Sequence, residues 1–135
     1  MQSVVAKPVS NRTLWTARVI GGLAVLFLLF DATIHTLVPP AVAQAFAQIH
    51  MPVGYAPIIG VVEFISMALY LIPRTALLGT VLWTAYLGGA IATNLHTPSP
   101  AFGIVFALVV AVMLWAPRYL LDERLRDIFP LRRVL

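Results

Sequence analysis

Four long apolar stretches dominate the chain, and short polar or proline-containing segments separate them. The first stretch runs from Arg18 to Val38 and ends at Pro39-Pro40. A helix of roughly 20 residues at about 1.5 Å per residue crosses the ~30 Å of hydrocarbon in a bilayer. The pattern therefore predicts four transmembrane helices, over about 16–38, 54–72, 75–94 and 101–119.

The connection between the first two stretches has an amphipathic centre. Val42, Phe46 and Ile49 recur at helical spacing, whereas Gln44 and Gln48 are polar. This pattern is typical of a short helix that lies at the membrane interface.

The two ends of the chain are polar. We expect residues 1–15 to form a polar arm and residues 120–135 to form an amphipathic, basic tail. The tail alternates acidic and basic side chains and keeps an apolar face, which predicts a short surface helix before the basic end at Arg132 and Arg133.

The composition agrees with membrane insertion. Hydrophobic residues make up 61% of the chain and charged residues 10%, compared with about 25% charged residues in ordinary globular proteins. The mean hydropathy is +0.94. The chain contains no cysteine, which excludes disulfides, thiol redox chemistry and thiolate metal ligands.

The distribution of basic residues predicts the orientation. The net charge is +4, but all nine Lys and Arg residues fall in the N-terminal arm, the Pro73-Arg74 turn and the C-terminal segment. The two loops on the other side, about 39–53 and 94–100, have none. The positive-inside rule then places both termini in the cytoplasm and explains the basic composition without a nucleic-acid partner.

Small residues at packing spacing favour close helix contacts. Ala85, Gly89 and Thr93 lie four residues apart on the third stretch, and Ala107 and Ala111 do so on the fourth. Together with the spans they predict an all-α, integral membrane four-helix bundle.

Three ionisable residues interrupt the apolar stretches. Asp31 and His35 lie four residues apart and share a helix face, and Glu63 interrupts the second stretch. Counting residues places Asp31 ~10 Å and Glu63 ~13 Å inside the outer boundary. Because ionisable groups are costly in hydrocarbon, we predict that Asp31, His35 and Glu63 form a catalytic acid–base site. Two carboxyl groups in a dry site repel, so one is expected to hold a proton that the imidazole can exchange.

Three further residues converge on the same level. Tyr86, Asn94 and His96 lie toward the outer end of the third stretch, and we predict that they bind substrate.

Simpler interpretations stay open for each group. Asp31 and His35 could pair only with each other, Glu63 could be a protonated acid that joins two helices, and His96 could be an ordinary loop residue. The ligand types would suit a metal, but no tight spacing motif supports one, so no metal is predicted. The first stretch also resembles a signal peptide with a cleavage site at Ala41-Val42-Ala43, but it is long for one and contains Asp31 and His35.

Two stretches carry a resemblance to a known family. These are Gly60-x-x-Glu63 with the following LYLIPRT, and YLGGAIAT from Tyr86 to Thr93. They resemble the DoxX-like family of small four-helix membrane proteins, and the similarity extends over about 18–132. In that family the first helix commonly carries a small residue and then a lysine, where this chain has Asp31 and His35.

The resemblance implies a membrane oxidoreductase component, with a quinone as the associated lipophilic molecule and the bacterial inner (plasma) membrane as the location. Three hypotheses follow. The chain is an enzyme or enzyme subunit that acts on a lipophilic small molecule, a proton-linked carrier of a small solute, or a structural subunit of a membrane complex. We favour the first, with the lipid bilayer and either a second copy or other subunits as further partners; the sequence does not identify a cofactor.

Overall fold

The computed structural model describes residues 9–98 and 100–128, which are helical and contain no strand. The elements are α1 (Asn11–Leu37), α2 (Pro40–Gln48), a 3-10 turn (Val53–Tyr55), α3 (Ala56–Leu71), α4 (Ala76–Asn94), α5 (Pro100–Leu121) and α6 (Glu123–Ile128). Among the described residues, four helices are long and apolar enough to cross a membrane: α1, α3 with its preceding turn, α4 and α5. The predicted all-helical membrane fold is therefore confirmed at this level.

The four long helices form a bundle. α1 packs against α3 and α5, and α4 packs against the same two helices, so α1 and α4 face each other across a diagonal. Successive long helices run antiparallel: short turns join α3 to α4 and α4 to α5, and a longer connection that contains α2 joins α1 to α3. We call the end where α1 begins and α5 finishes the termini end, and the opposite end the α2 end.

The core of the bundle consists of apolar side chains from all four long helices. Leu28, Met67, Trp83 and Leu114 are almost completely buried there. The outer surface is also apolar, with Phe102 78% exposed and Leu26 and Val112 each 68% exposed. An apolar exterior around an apolar core is what a bilayer requires, because lipid replaces water as the surrounding solvent.

α1 begins within the segment predicted to be a polar arm. Ser10 caps the helix, since its side-chain oxygen accepts a hydrogen bond of 3.2 Å from the backbone N–H of Thr13. Residues 11–15 are consequently helical. The rest of the predicted arm, apart from residues 9 and 10, lies outside the described residues.

α5 passes through Pro117 and ends at Leu121, two residues beyond the predicted span. Proline ordinarily ends or kinks a helix because it lacks an N–H group and crowds the preceding turn. Here the ring lies against Gly21 of α1, where an added Cβ would come within 2.9 Å of Pro117 Cγ. The missing side chain at Gly21 thus makes room for the proline, and the continued helix carries Arg118 toward Tyr70, whose carbonyl accepts a 2.8 Å hydrogen bond from Arg118.

The two short helices have different surroundings. α2 is the helix predicted in the first connection, and it buries Val42 and Phe46 against Ala56 at the start of α3. α6 occupies part of the predicted tail and buries Leu125. The basic end of the tail, with Arg132 and Arg133, lies outside the described residues.

Candidate functional site

A close contact between α1 and α3 at Gly60 sets the position of Glu63. Gly60 lies against Ala32 and Thr36, and a Cβ at Gly60 would collide with the Thr36 side chain and with the backbone of both residues. Glu63 follows within one turn on the same helix, so the close approach brings it beside His35. His35 Nδ1 lies 3.2 Å from Glu63 Oε2, and Glu63 is completely buried.

Asp31 is linked to the opposite helix. The Tyr86 hydroxyl donates a hydrogen bond of 3.0 Å to Asp31 Oδ2, across the diagonal between α1 and α4. His35 Nδ1 is 3.9 Å from Asp31 Oδ1, which is longer than its contact with Glu63. Simple pairing of Asp31 with His35 therefore does not describe the site. Tyr86, Asp31, His35 and Glu63 instead form one polar chain that connects α4, α1 and α3.

One carboxylate oxygen of the polar chain Tyr86–Asp31–His35–Glu63 has no hydrogen-bond partner among the described residues. This atom is Oε1 of Glu63, and it is buried. A buried carboxylate oxygen without a partner is costly, and such groups are rare in folded proteins. Glu63 Oε1 is therefore a place where a proton or a cation would be stabilised.

A cavity of about 890 Å³ opens in front of the polar chain, between α1, α4 and α5. Asp31, His35 and Tyr86 reach its wall, whereas Glu63 lies behind His35 and does not. Apolar side chains form much of the remaining wall, among them Phe27, Ile59, Leu87, Phe102 and Phe106. The volume lies in the range of about 300–1,000 Å³ that is usual for small-molecule sites.

α2 covers the cavity at the α2 end of the bundle. The Phe46 ring lies edge-on to His35, with 6.0 Å between the ring centres, and Gln48 and Ile49 also reach the wall. The chain turns into α2 at Val38, which has φ of 50°, an unusual value for a β-branched residue. This sharp turn folds α2 back across the ends of α1 and α3.

The predicted substrate-binding residues divide into two groups. Tyr86 and Asn94 line the cavity, and Gly103 of α5 makes room for the Asn94 amide, where a Cβ would collide with it. His96 lies beyond the end of α4, is exposed, and is absent from the cavity wall. The structure thus places His96 apart from the other five predicted site residues.

Nothing in the sequence predicts that α5 lines the cavity. Gly103 and Phe106 line the cavity, yet this stretch carries no polar side chain that would mark it. Their position depends on the ring order of the bundle, in which α5 lies between α1 and α4.

The polar chain also has the composition of a cation site. Asp31, His35 and Glu63 each offer one ligand atom, and these atoms lie within 4.8 Å of one another. Imidazole nitrogen and carboxylate oxygen are ligands for divalent ions such as zinc.

Fold and site together define a class: integral membrane four-helix bundles with an acid–imidazole cluster between their helices. The sequence model of the DoxX-like family matches residues 19–117, which include every residue of the polar chain, and the protein belongs to that family. The family resemblance in the sequence is thereby confirmed. No match was found among curated proteins or among solved structures.

Proposed function

We propose that this protein binds a lipophilic small molecule with a polar head, of which a quinone is the leading candidate, and passes protons to or from it when an electron donor or acceptor of the membrane complex reduces or oxidises it. It would act as an enzyme or as a subunit of a membrane oxidoreductase complex. The polar chain Tyr86–Asp31–His35–Glu63 at the wall of a largely apolar cavity is the observation that carries this proposal.

The shape of the site suits such a ligand. An apolar body would contact the aromatic and aliphatic side chains of the cavity, and a polar head would reach Tyr86, Asp31 and His35. A few convergent polar groups in a mainly apolar pocket are the usual arrangement for orienting a small molecule. Hydrogen-bonding groups of the ligand would find both donors and acceptors on this wall.

Each residue of the polar chain has a separate role in the proposed proton transfer. Tyr86 and Asp31 contact the polar head, with the tyrosine hydroxyl as a donor and the carboxyl group as a proton carrier. His35 exchanges a proton between the cavity and Glu63, since its Nδ1 contacts Glu63 Oε2 at 3.2 Å. Glu63 stores that proton away from the ligand, because it is completely buried behind His35.

The same proposal includes an orientation. The arginines of the described residues all lie in segments at the termini end of the bundle, which supports cytoplasmic termini in a bacterial inner membrane. The cavity then lies in the outer half of the bilayer, where a membrane-dissolved ligand can reach it.

Photolabelling tests the binding step. Purified protein in lipid nanodiscs is illuminated with an azidoquinone, and the labelled peptides are mapped by mass spectrometry with and without excess decylubiquinone. We expect labels on α1, α4 and α5 around the cavity, which the excess quinone suppresses. Labels confined to the outer, lipid-facing surface would contradict the proposal.

Two adjacent glycines provide a matched pair of variants. Gly89 lines the cavity and Gly88 does not, and a Cβ at either position would meet open space. Gly89→Leu should abolish the suppressible labelling, whereas Gly88→Leu should retain it. Equal labelling of both variants would place the bound quinone elsewhere.

A further inference from the structure

A second cavity, of about 680 Å³, lies at the termini end of the bundle, away from the polar chain. α1, the end of α5 and the beginning of α6 form its walls, with Tyr70 of α3 contributing as well. We propose that this cavity binds the phosphate headgroup of an anionic phospholipid, with an acyl chain along α1.

Three arginines supply the positive charge. Arg18, Arg118 and Arg124 all line the cavity, and they come from α1, α5 and α6 respectively. Arginine binds phosphate well because its planar guanidinium offers several N–H donors in a fixed arrangement. Basic pockets between membrane helices are characteristic sites for anionic headgroups.

The two acidic residues of the cavity wall, Asp122 and Glu123, bind groups other than the three arginine side chains of the cavity. Asp122 Oδ1 accepts hydrogen bonds from the backbone N–H groups of Arg124 at 2.9 Å and Leu125 at 3.3 Å, which caps α6. Glu123 forms an ion pair of 3.5 Å with Arg126. These contacts leave the arginine side chains of the cavity without a carboxylate partner among the described residues.

Arg118 provides the most specific observation. Its guanidinium lies over the Tyr70 ring, 4.5 Å from the ring centre, and donates a 2.8 Å hydrogen bond to the Tyr70 carbonyl. Its Nε is nevertheless buried and has no hydrogen-bond partner among the described residues. This buried nitrogen does not face the cavity, but the Arg118 side chain lines its wall, and a guanidinium held on an aromatic ring is a positive charge fixed in place for an anion.

The α1 side of this cavity is apolar, and we call it the groove. Gly22 and Val25 line it and are not fully buried, and Gly22 has open space where a side chain would be. An acyl chain in this groove would contact apolar groups while its headgroup stays near the arginines. A phospholipid satisfies both parts of the cavity, whereas a soluble phosphate would satisfy only the charged part.

Native mass spectrometry of the full chain in detergent tests this proposal. The protein is titrated with dioleoylphosphatidylglycerol, with zwitterionic dioleoylphosphatidylcholine, and with soluble glycerol phosphate. We expect the anionic lipid to bind at least fivefold more tightly than the zwitterionic one, and glycerol phosphate to bind more weakly than either. Equal binding of the two lipids would overturn the proposal, and tight binding of glycerol phosphate would make a free phosphoryl compound the ligand.

Variants locate the site. Arg124→Gln leaves the Arg118–Tyr70 contact intact and should lower the affinity for the anionic lipid about threefold or more, and Arg118→Gln should remove the preference. Arg74→Gln is the matched control, because Arg74 lies at the same end of the bundle but outside the cavity wall. An equal loss in Arg74→Gln would mean a general surface attraction and would contradict a defined site.

Gly22→Leu separates the groove from the charges. The new side chain should obstruct the acyl chain and weaken lipid binding while leaving the three arginines unchanged. Undiminished binding of the anionic lipid to Gly22→Leu would exclude the groove from the site.

Discussion

His35 Nδ1 lies 3.2 Å from Glu63 Oε2 and 3.9 Å from Asp31 Oδ1, so the histidine is bonded to the neighbouring helix rather than to the acid one turn away. Both contacts use the same nitrogen, and Asp31 and Glu63 also lie close enough to interact directly, so the three side chains form one cluster. One acid of this cluster is fully buried, and the other reaches a cavity. Neutral variants of the two acids therefore separate their contributions.

Glu63→Gln should retain the fold but lose proton exchange. The amide keeps the size of the side chain and a hydrogen-bonding group for His35, so we expect the free energy of unfolding to change by no more than about 1 kcal/mol. When an electrode supplies two electrons to bound decylubiquinone, each quinone takes up two protons, and this proton-coupled reduction, followed by voltammetry, should slow to the rate seen without protein. Asp127→Asn changes an exposed acid in α6 and serves as the control.

Asp31→Asn is the complementary test, because it alters the acid at the cavity wall. If both neutral variants retained full proton uptake and turnover, the carboxyl groups would only join helices and the proposed function would be wrong. Loss of proton uptake with an unchanged melting temperature would exclude a purely structural role.

Gly60→Ala should destabilise the bundle and disrupt the site together. A Cβ at this position collides with backbone atoms of α1, which cannot rotate away as a side chain could. We expect a cost of about 1–3 kcal/mol in the free energy of unfolding, as is usual for overpacking. Thermal unfolding in detergent measures this cost, and Gly88→Ala is the control because its Cβ would meet open space. An equally stable Gly60→Ala variant would show that α1 and α3 can separate without penalty.

Tyr86→Phe should weaken ligand binding more than it weakens the fold. The variant loses the 3.0 Å hydrogen bond to Asp31, and such a bond contributes about 0.5–1.5 kcal/mol to stability. If the ligand loses a hydrogen bond of the same strength, the affinity for decylubiquinone should fall by roughly threefold to tenfold. Thr84→Val, whose hydroxyl lies outside the cavity wall, is the control. Unchanged affinity in Tyr86→Phe would remove the tyrosine from the binding site.

The apolar pattern is sufficient to predict the four spans, because a helix that crosses a bilayer must be apolar over most of its length. Counting along two helices predicts that Asp31 and Glu63 lie at a similar level, and the two side chains do lie together. The partner of His35 cannot be predicted in this way, because the rotation of α3 against α1 depends on the contact at Gly60. A glycine in an apolar stretch does not indicate which helix approaches it. The position of α5 in the cavity wall cannot be predicted from the sequence either, since its residues there are apolar or glycine.

Pro117 shows a different limit of sequence reasoning. Proline ordinarily ends a helix, and nothing in the sequence indicates that Gly21, far away in the chain, accommodates its ring. A contact between two helices therefore accommodates a proline inside α5.

Gly21→Ala should destabilise the bundle, and Pro117→Ala should reverse part of this effect. The added Cβ in Gly21→Ala would come within 2.9 Å of Pro117 Cγ, so we expect a cost of about 1–3 kcal/mol in the free energy of unfolding. Replacing the proline removes the Cγ atom and restores a backbone N–H to α5, so the double variant should be more stable than Gly21→Ala alone. Thermal unfolding of the two single variants and the double variant gives the coupling energy directly. Additive effects, with a coupling energy of no more than about 0.5 kcal/mol, would mean that the stability cost at Gly21 does not depend on the Pro117 ring.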